Sequence, residues 1–254
     1  MEVLGKDCLT YPVAVLTPTG KMRGYRVFYA EQGRHMKTIF ITGGTGYIGT
    51  RLIGMLLLRG HRVIALVRPG SEHKVPAGAE VTSGDPLKAD SFTSSVPAGC
   101  TFVQLLGVPH PSPRKRDLFY TIDLASLKAS ADAAFLAGAA HFVYVSVAQE
   151  PTNIMKDYQA ARAAGEQYII GKGLSHTFIR PWYVLGPGHW WPILFLPLYT
   201  ILRWLPATRE KATALGLVTI RQMLSALLAS IEYPESTGTI MDVEAIKIKK
   251  RRDK

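Results

Sequence analysis

The segment Thr42-Gly43-Gly44-Thr45-Gly46-Tyr47-Ile48-Gly49 constrains this chain more than any other. Before it lies a short β-branched, apolar run, Lys37–Thr42 (KTIFIT), which reads as a buried strand. After it, over Gly46–Arg59, Ile48, Leu52, Ile53, Leu56 and Leu57 recur at helical spacing until Gly60. A strand that ends on glycines and opens directly into a helix leaves few folds open. Gly43 suits a tight turn, Gly46 leaves the backbone approachable, and Gly49 allows close helix–strand packing. The first amides of a helix and its dipole favour an anion at such a turn, and a pyrophosphate fits it best.

The alternation continues down the chain. Arg62–Val67 (RVIALV), Glu80–Ser83, Thr101–Leu106 (TFVQLL), Phe142–Ser146 (FVYVS) and Ser175–Arg180 (SHTFIR) read as strands. Helices are expected near Leu87–Ser95, at Asp123–Ala137 and at Met155–Ile170. This predicts an α/β fold, a Rossmann-type doubly wound parallel sheet with helices on both faces. Beyond Pro181 the texture turns aromatic and proline-rich, with a helix near Ile220–Ile231 and a last strand near Thr239–Val243. Residues 181–246 therefore read as a small C-terminal lobe on the domain that spans 37–246. Residues 1–36 lack a hydrophobic period and read as an N-terminal extension, flexible or foreign to the native protein, that packs no core. Residues 247–254 form a basic tail.

Composition excludes several classes. The chain has 254 residues, 47% of them hydrophobic, which suits one large domain and is too apolar for a disordered chain. The net charge of +11 is concentrated at the ends: residues 247–254 carry six basic side chains and one acidic. That pattern fits a solvated terminus and argues against a nucleic-acid partner. Cys8 and Cys100 cannot build a disulfide framework, and no Cys/His spacing suits a metal. The most apolar run, Trp190 to Leu202, is broken by Pro192 and Pro197 and falls short of the roughly 20 residues a spanning helix needs. With no secretory signal visible, the expectation is a cytoplasmic protein without a transmembrane segment.

The end of the second strand bears on the cofactor. NAD binders usually place an acid there to accept from the ribose 2′-hydroxyl. Here the residues are Leu66-Val67-Arg68-Pro69, and the nearest acid is Glu72. A guanidinium at Arg68 matches the geometry of a 2′-phosphate, so NADP(H) is favoured over NAD(H). The plainer alternative is a surface arginine.

TGGTGYIG, Arg68, Gly84-Asp85 after the third strand, and a Tyr158-x-x-x-Arg162 step on a helix together resemble the extended and atypical short-chain dehydrogenase/reductases. The resemblance runs from Lys37 to Val243 and is nearest to the NAD(P)H-binding, NmrA-like and epimerase-like branch. It implies that Gly43, Gly46 and Gly49 form the cofactor turn and that the amides of Tyr47 and Ile48 meet the pyrophosphate. It implies an adenine contact for Asp85, a ribose-lining role for Leu105, Leu106 and Gly107, and a place near the nicotinamide for Pro181. Ser146 and Tyr158 fall at the catalytic serine and tyrosine positions, with Tyr158 the proton donor and Ser146 polarising a carbonyl. Arg162 stands where the family has lysine. In that position it is the residue that lowers the Tyr158 pKa and holds the nicotinamide ribose of the cofactor, with charge and donors to offer but no proton to shed. Pairing of Arg162 with Glu166, one turn on, is the structural alternative. His110, after the fourth strand, and His189 and Trp190, in the C-terminal lobe, are candidates for contact with substrate.

The reading that follows is an NADP(H)-dependent oxidoreductase acting on a small carbonyl or related substrate, with a homodimer left open. A binding protein that senses NAD(P)H or assists assembly, with turnover weakened or lost, competes with it through Arg162. A sugar-nucleotide epimerase is the second alternative.

Overall fold

The computed structural model describes residues 8–16, 22–30, 36–150, 155–188, 215–235 and 238–248. The chain divides into two compact units at Met36/Lys37. In the first, strands β1 (Cys8–Leu16) and β2 (Met22–Ala30) pair antiparallel, with Cys8 opposite Ala30 and Leu16 opposite Met22. The sequence suggested no regular structure here. Pro12 and Gly24 interrupt the pattern of these strands, but a two-stranded ribbon consists only of edges, where a proline is tolerated.

The second unit holds seven parallel strands: β3 (Thr38–Thr42), β4 (Arg62–Val67), β5 (Glu80–Ser83), β6 (Thr101–Gln104), β7 (His141–Val145), β8 (His176–Ile179) and, after a separate two-stranded pair, β11 (Thr239–Met241). Their order across the sheet is β11-β8-β7-β6-β3-β4-β5. The chain builds outward from β3 through β4 to β5, then returns to β6 on the other side of β3. The crevice between β3 and β6 is the topological switch point, where open parallel sheets bind ligands beyond their carboxyl ends. The separate pair, β9 (Tyr183–Leu185) with β10 (Leu217–Thr219), also runs parallel.

The inner strands are buried on both faces, which is why they read as continuous apolar runs, while the edge strand β5 is largely exposed. On one face Ile39, Ile41, Val63, Ala65, Val103, Val143 and Ile179 pack with α1 (Tyr47–Leu58) and, from the C-terminal part, α5 (Ile220–Glu232). On the other, Phe40, Leu66, Phe102, Phe142, Tyr144 and Phe178 pack with α3 (Ala125–Leu136) and α4 (Lys156–Gly171). The Phe40, Phe102 and Phe142 rings follow one another across adjacent strands at 5.1 Å between centroids. Each such buried side chain contributes about 1.5–3 kcal/mol relative to exposure.

Three expectations change. The helix near Leu87–Ser95 is two single 3₁₀ turns, Ala89–Ser91 and Thr93–Ser95. The helix expected from Asp123 begins earlier, with a short helical turn α2 (Arg116–Leu118) and a six-residue π-helical turn, Phe119–Leu124, before α3. The last strand stops at Met241, and α6 (Val243–Ile248) follows it, so regular structure reaches into the segment read as a basic tail. No helix among the described residues is long and apolar enough to cross a membrane.

Candidate active site

The glycine turn connects β3 to α1 at the switch point. Gly43 has φ +72, and a Cβ there would lie 2.7 Å from Leu106 N and 2.8 Å from the Leu105 carbonyl carbon. Only glycine satisfies both the left-handed backbone and this approach. A Cβ on Gly49 would lie 2.3 Å from Gly43 O, so helix and turn touch there. Gly46 differs: a Cβ would meet only Gly43 O, at 3.2 Å. Gly46 is also the N-cap of α1 and offers its first turn no side-chain cap. The turn thus presents a backbone cradle at a helix N-terminus, which suits the pyrophosphate of a dinucleotide. Tyr47 and Ile48 open the helix, and a Cβ on Gly186, just past β9, would lie 2.1 Å from Tyr47 Oη.

The other sequence candidates stand at the carboxyl ends of the neighbouring strands. Arg68 follows β4 and is exposed. Glu72, the nearest acid after β4 in the sequence, accepts from Gly70 N at 3.1 Å and Ser83 Oγ at 3.3 Å, and hydrogen bonding from its own backbone first, then from Gly70 and Ser83, holds its carboxyl below the usual range. A carboxylate therefore does lie beside the ends of β4 and β5. Asp85 follows β5, and its Oδ1 accepts from Leu87 N at 3.0 Å in a local turn. Leu105, Leu106 and Gly107 follow β6 against the glycine turn, with Leu105 N donating to Thr42 O at 3.1 Å. Pro181 follows β8 and is buried, its carbonyl accepting from Ala148 N at 3.1 Å.

Ser146, one residue past β7, is buried, and its Oγ has no hydrogen-bond partner among the described residues. A buried hydroxyl in that state calls for a further polar partner, such as another part of the chain, a water or a ligand. Tyr158, on α4, is half-buried, its ring 5.0 Å from that of Phe119 at an interplanar angle of 60°. His110, in the loop after β6, is exposed with φ +49, a conformation histidine adopts more readily than most residues. His189 and Trp190 lie outside the described residues.

Arg162 departs most from expectation. It is buried, and its hydrogen bonds point into the fold: Nη2 donates to Asp123 Oδ2 at 2.9 Å, and Nη1 to Val145 O at 3.0 Å and Tyr144 Oη at 3.4 Å. Its guanidinium carbon lies 5.1 Å from the centroid of the Tyr158 ring, a cation–π contact with the ring rather than a bond to the hydroxyl. Glu166 is not its partner but is held by Arg180 through two hydrogen bonds. Burial disfavours charge on Arg162, yet the Tyr144 and Tyr158 phenols and the Asp123 carboxylate outweigh it and raise its pKa. Burial pushes the Tyr144 phenol up to about 12 against the pull of Arg162. Burial likewise raises Asp123, with Arg162 and the Val108 N–H holding the rise back.

The sequence reading missed Asp123 and Gln104. Gln104 is buried at the end of β6. Its Oε1 accepts from Thr42 Oγ1 and from Ser130 Oγ, and its Nε2 donates to Ser126 Oγ at 3.3 Å. A glutamine within an otherwise apolar strand was the available signal. Among the described residues no group of acids, histidines and cysteines could hold a metal.

Residues 43–186 match a family model described as NAD(P)H-binding. The chain belongs to the NAD(P)H-binding family. That match bears out the NAD(P)H-binding resemblance expected from the glycine turn. A curated relative, the ceramide reductase of Caulobacter vibrioides, is 30% identical over 154 residues, covering 59% of this chain and 47% of its own. The chloroplastic divinyl chlorophyllide a 8-vinyl-reductase of Oryza sativa subsp. indica is 27% identical over 166 residues, covering 57% of this chain and 39% of its own. The chain thus spans less than half the length of either relative. Among solved structures, the Bordetella bronchiseptica enzyme WbmH in complex with NAD+ has a TM-score of 0.61 at 19% identity, covering 84% of this chain and 79% of that one. That likeness shows the Rossmann-type fold. Family and fold together call for a nicotinamide dinucleotide, and the glycine cradle fits one.

Proposed function

We propose that this NAD(P)H-binding protein is an NADP(H)-dependent oxidoreductase that reduces a carbonyl or related unsaturated group on a small-molecule substrate. The observation that carries the reading is the glycine turn at the switch point, where a Cβ on Gly46 would meet only Gly43 O, which supports a backbone open to a pyrophosphate there. Two of the curated relatives are reductases by name, which supports reduction over epimerisation. Exposed Arg68 at the end of β4 supports NADP(H), since its guanidinium can fork onto a 2′-phosphate.

When bound, the cofactor supplies hydride. In this reading the chain's own residues do the rest. Gly43, Gly46, Tyr47, Ile48 and Gly49 hold the pyrophosphate, with Arg68 and Asp85 at the adenosine end. Leu105, Leu106, Gly107 and Pro181 line the ribose and nicotinamide end. Ser146 Oγ, without a partner among the described residues, donates to the substrate oxygen and Tyr158 gives the proton. His110, exposed in the loop after β6, is the described candidate for contact with substrate.

The test is NADPH oxidation by the purified protein against aldehydes, ketones, quinones and enones, with Tyr158→Phe alongside. Turnover that falls by about 10²–10⁴ in the variant supports the assignment. Turnover unchanged by the substitution removes Tyr158 from the mechanism. A second reading, an NAD(P)H sensor or assembly protein, is favoured by one observation: the cation at the usual lysine position, Arg162, is buried and committed to Asp123. NADPH binding without oxidation across the panel would select it.

A further inference from the structure

Ser146 and Tyr158 stand on either side of the connection from β7 to α4. The backbone that follows Ser146 is held from two directions. Ala148 N donates to Pro181 O at 3.1 Å, just beyond β8. From α4, Gln159 Nε2 donates to Ala148 O at 2.7 Å and to Glu150 O at 2.7 Å. Both partners are carbonyl oxygens, so the amide faces them with its nitrogen, and both N–H groups of that nitrogen are engaged. Gln159 follows Tyr158 directly and is buried, as are Val147 and Ala148. Gln149, on the loop itself, donates locally instead, to Val147 O at 3.2 Å.

We infer that Gln159 is a positioning residue for the candidate site, clamping the backbone at Ala148 and Glu150 to α4 and so setting Ser146 against Tyr158. The inference rests on the oxidoreductase reading, in which both hydroxyls meet the substrate oxygen. A single hydrogen bond would let the loop pivot about it. Two bonds from one nitrogen, to residues 148 and 150, fix its course. Ala148 is thereby tied on both sides, through its N–H to the exit of β8 and through its carbonyl to α4. The helix itself does not require a glutamine here, since the backbone N–H of Gln159 bonds Met155 O at 3.0 Å whatever the side chain. A buried helix position is ordinarily filled by an apolar residue, and one at 159 would take up the same space without holding the loop.

The test uses the full chain loaded with NADPH and two variants of matched chemistry, Gln159→Met and Gln149→Met. Each keeps the length of the side chain and removes its donors, but only the first releases the loop from α4. Three quantities are read: hydrogen exchange at the Ala148 amide, NADPH affinity, and kcat with KM on the substrate the parent turns over fastest. In Gln159→Met, exchange at Ala148 should be about tenfold faster, as for a lost buried hydrogen bond. There kcat should be about tenfold lower or more, the cost of a misplaced reacting geometry, while NADPH affinity stays at the parent's value because the glycine turn is untouched. Gln149→Met should match the parent in all three. Unchanged Ala148 exchange in Gln159→Met, unchanged kcat despite faster exchange, or the same losses in Gln149→Met overturns the inference. If Gln159→Met does not fold, the parent without cofactor decides. Its Gln159 side-chain amide protons should exchange about tenfold more slowly than those of Gln167, exposed on the same helix, and equal rates overturn the clamp. If the parent binds NADPH but oxidises nothing, the oxidoreductase reading fails by itself. The emission of bound NADPH then stands in for kcat, and identical emission or identical Ala148 exchange in the parent and Gln159→Met overturns the inference.

Discussion

Gly43 and Leu106 are in backbone contact: a Cβ on Gly43 would sit 2.7 Å from the Leu106 amide nitrogen. The turn after β3 and the loop after β6 are therefore one packed unit, and the crevice at the switch point has a rigid wall. Gly49 locks the same unit from the helix side through Gly43 O. Packing at these two positions and ligand access at Gly46 are separate demands, and substitution can separate them.

Gly49→Ala should destabilise the fold by about 1–3 kcal/mol, the usual cost of forcing extra volume into a packed site. Its Cβ meets backbone, which cannot move aside as a side chain would. Urea unfolding followed by far-ultraviolet circular dichroism reads this directly. A midpoint equal to the parent's would mean that the helix does not press on the turn.

Arg68→Ala should weaken NADPH binding by roughly 10- to 150-fold, equivalent to about 1.5–3 kcal/mol for a hydrogen bond to a charged group, and should spare NADH. Glu72→Gln should act in the opposite sense and favour NADPH, because the carboxylate near Gly70 and Ser83 repels a 2′-phosphate. Titrating both cofactors against both variants checks the pair. Equal losses for NADPH and NADH in Arg68→Ala would take that residue out of cofactor selection.

Arg162→Lys should cost about 1–3 kcal/mol rather than restore a family-like site. One ammonium cannot reach the carboxylate of Asp123, the carbonyl of Val145 and the hydroxyl of Tyr144 as the guanidinium does. Thermal unfolding of the variant beside the parent measures it. A stable variant with raised turnover would show that the position is open to the family's lysine.

His141 sets a pH dependence. It is buried at the start of β7, with Nδ1 2.9 Å from Ser175 Oγ and Nε2 2.9 Å from Thr177 Oγ1. Burial first, then the nearby charges of His176 and Lys37, lower its pKa to about 4. The unfolded chain takes up this proton at a higher pH than the folded one does. The neutral imidazole thus contributes stability that is complete above about pH 6.5 and is lost as pH falls toward 4, up to about 3 kcal/mol. Denaturant unfolding at a series of pH values should show a flatter profile for His141→Gln than for the parent over that window. Parallel profiles would contradict the assignment.

The strands were legible because a doubly buried parallel sheet demands short, unbroken apolar runs. Arg62–Val67, one such run, falls where the sequence put it. The segment Leu87–Ser95 misled because Ser91, Thr93 and the preceding Asp85 bond locally. Ser91 Oγ, for example, donates to Lys88 O and Asp85 O, which competes with a continuous helix. The glycine turn was legible because the chemistry is local, with strand, turn and helix contiguous in sequence. Asp123 was not. Read alone it resembles an acid at the start of a helix, and its partner Arg162 lies 39 residues away on another element. The burial of Arg162 was hidden for the same reason, since an arginine on a helix face reads as solvent-exposed until the opposing carboxylate is known.

The central claim is that the turn holds a nicotinamide dinucleotide by its pyrophosphate. Titration of NADPH fluorescence with the parent and with Gly46→Val tests it most directly. The account predicts saturable binding by the parent and none by the variant, which still folds, because a Cβ at Gly46 meets only Gly43 O, at 3.2 Å, but blocks the approach to the backbone. A parent that leaves NADPH emission unchanged, or a Gly46→Val protein that binds NADPH as tightly as the parent, would contradict it.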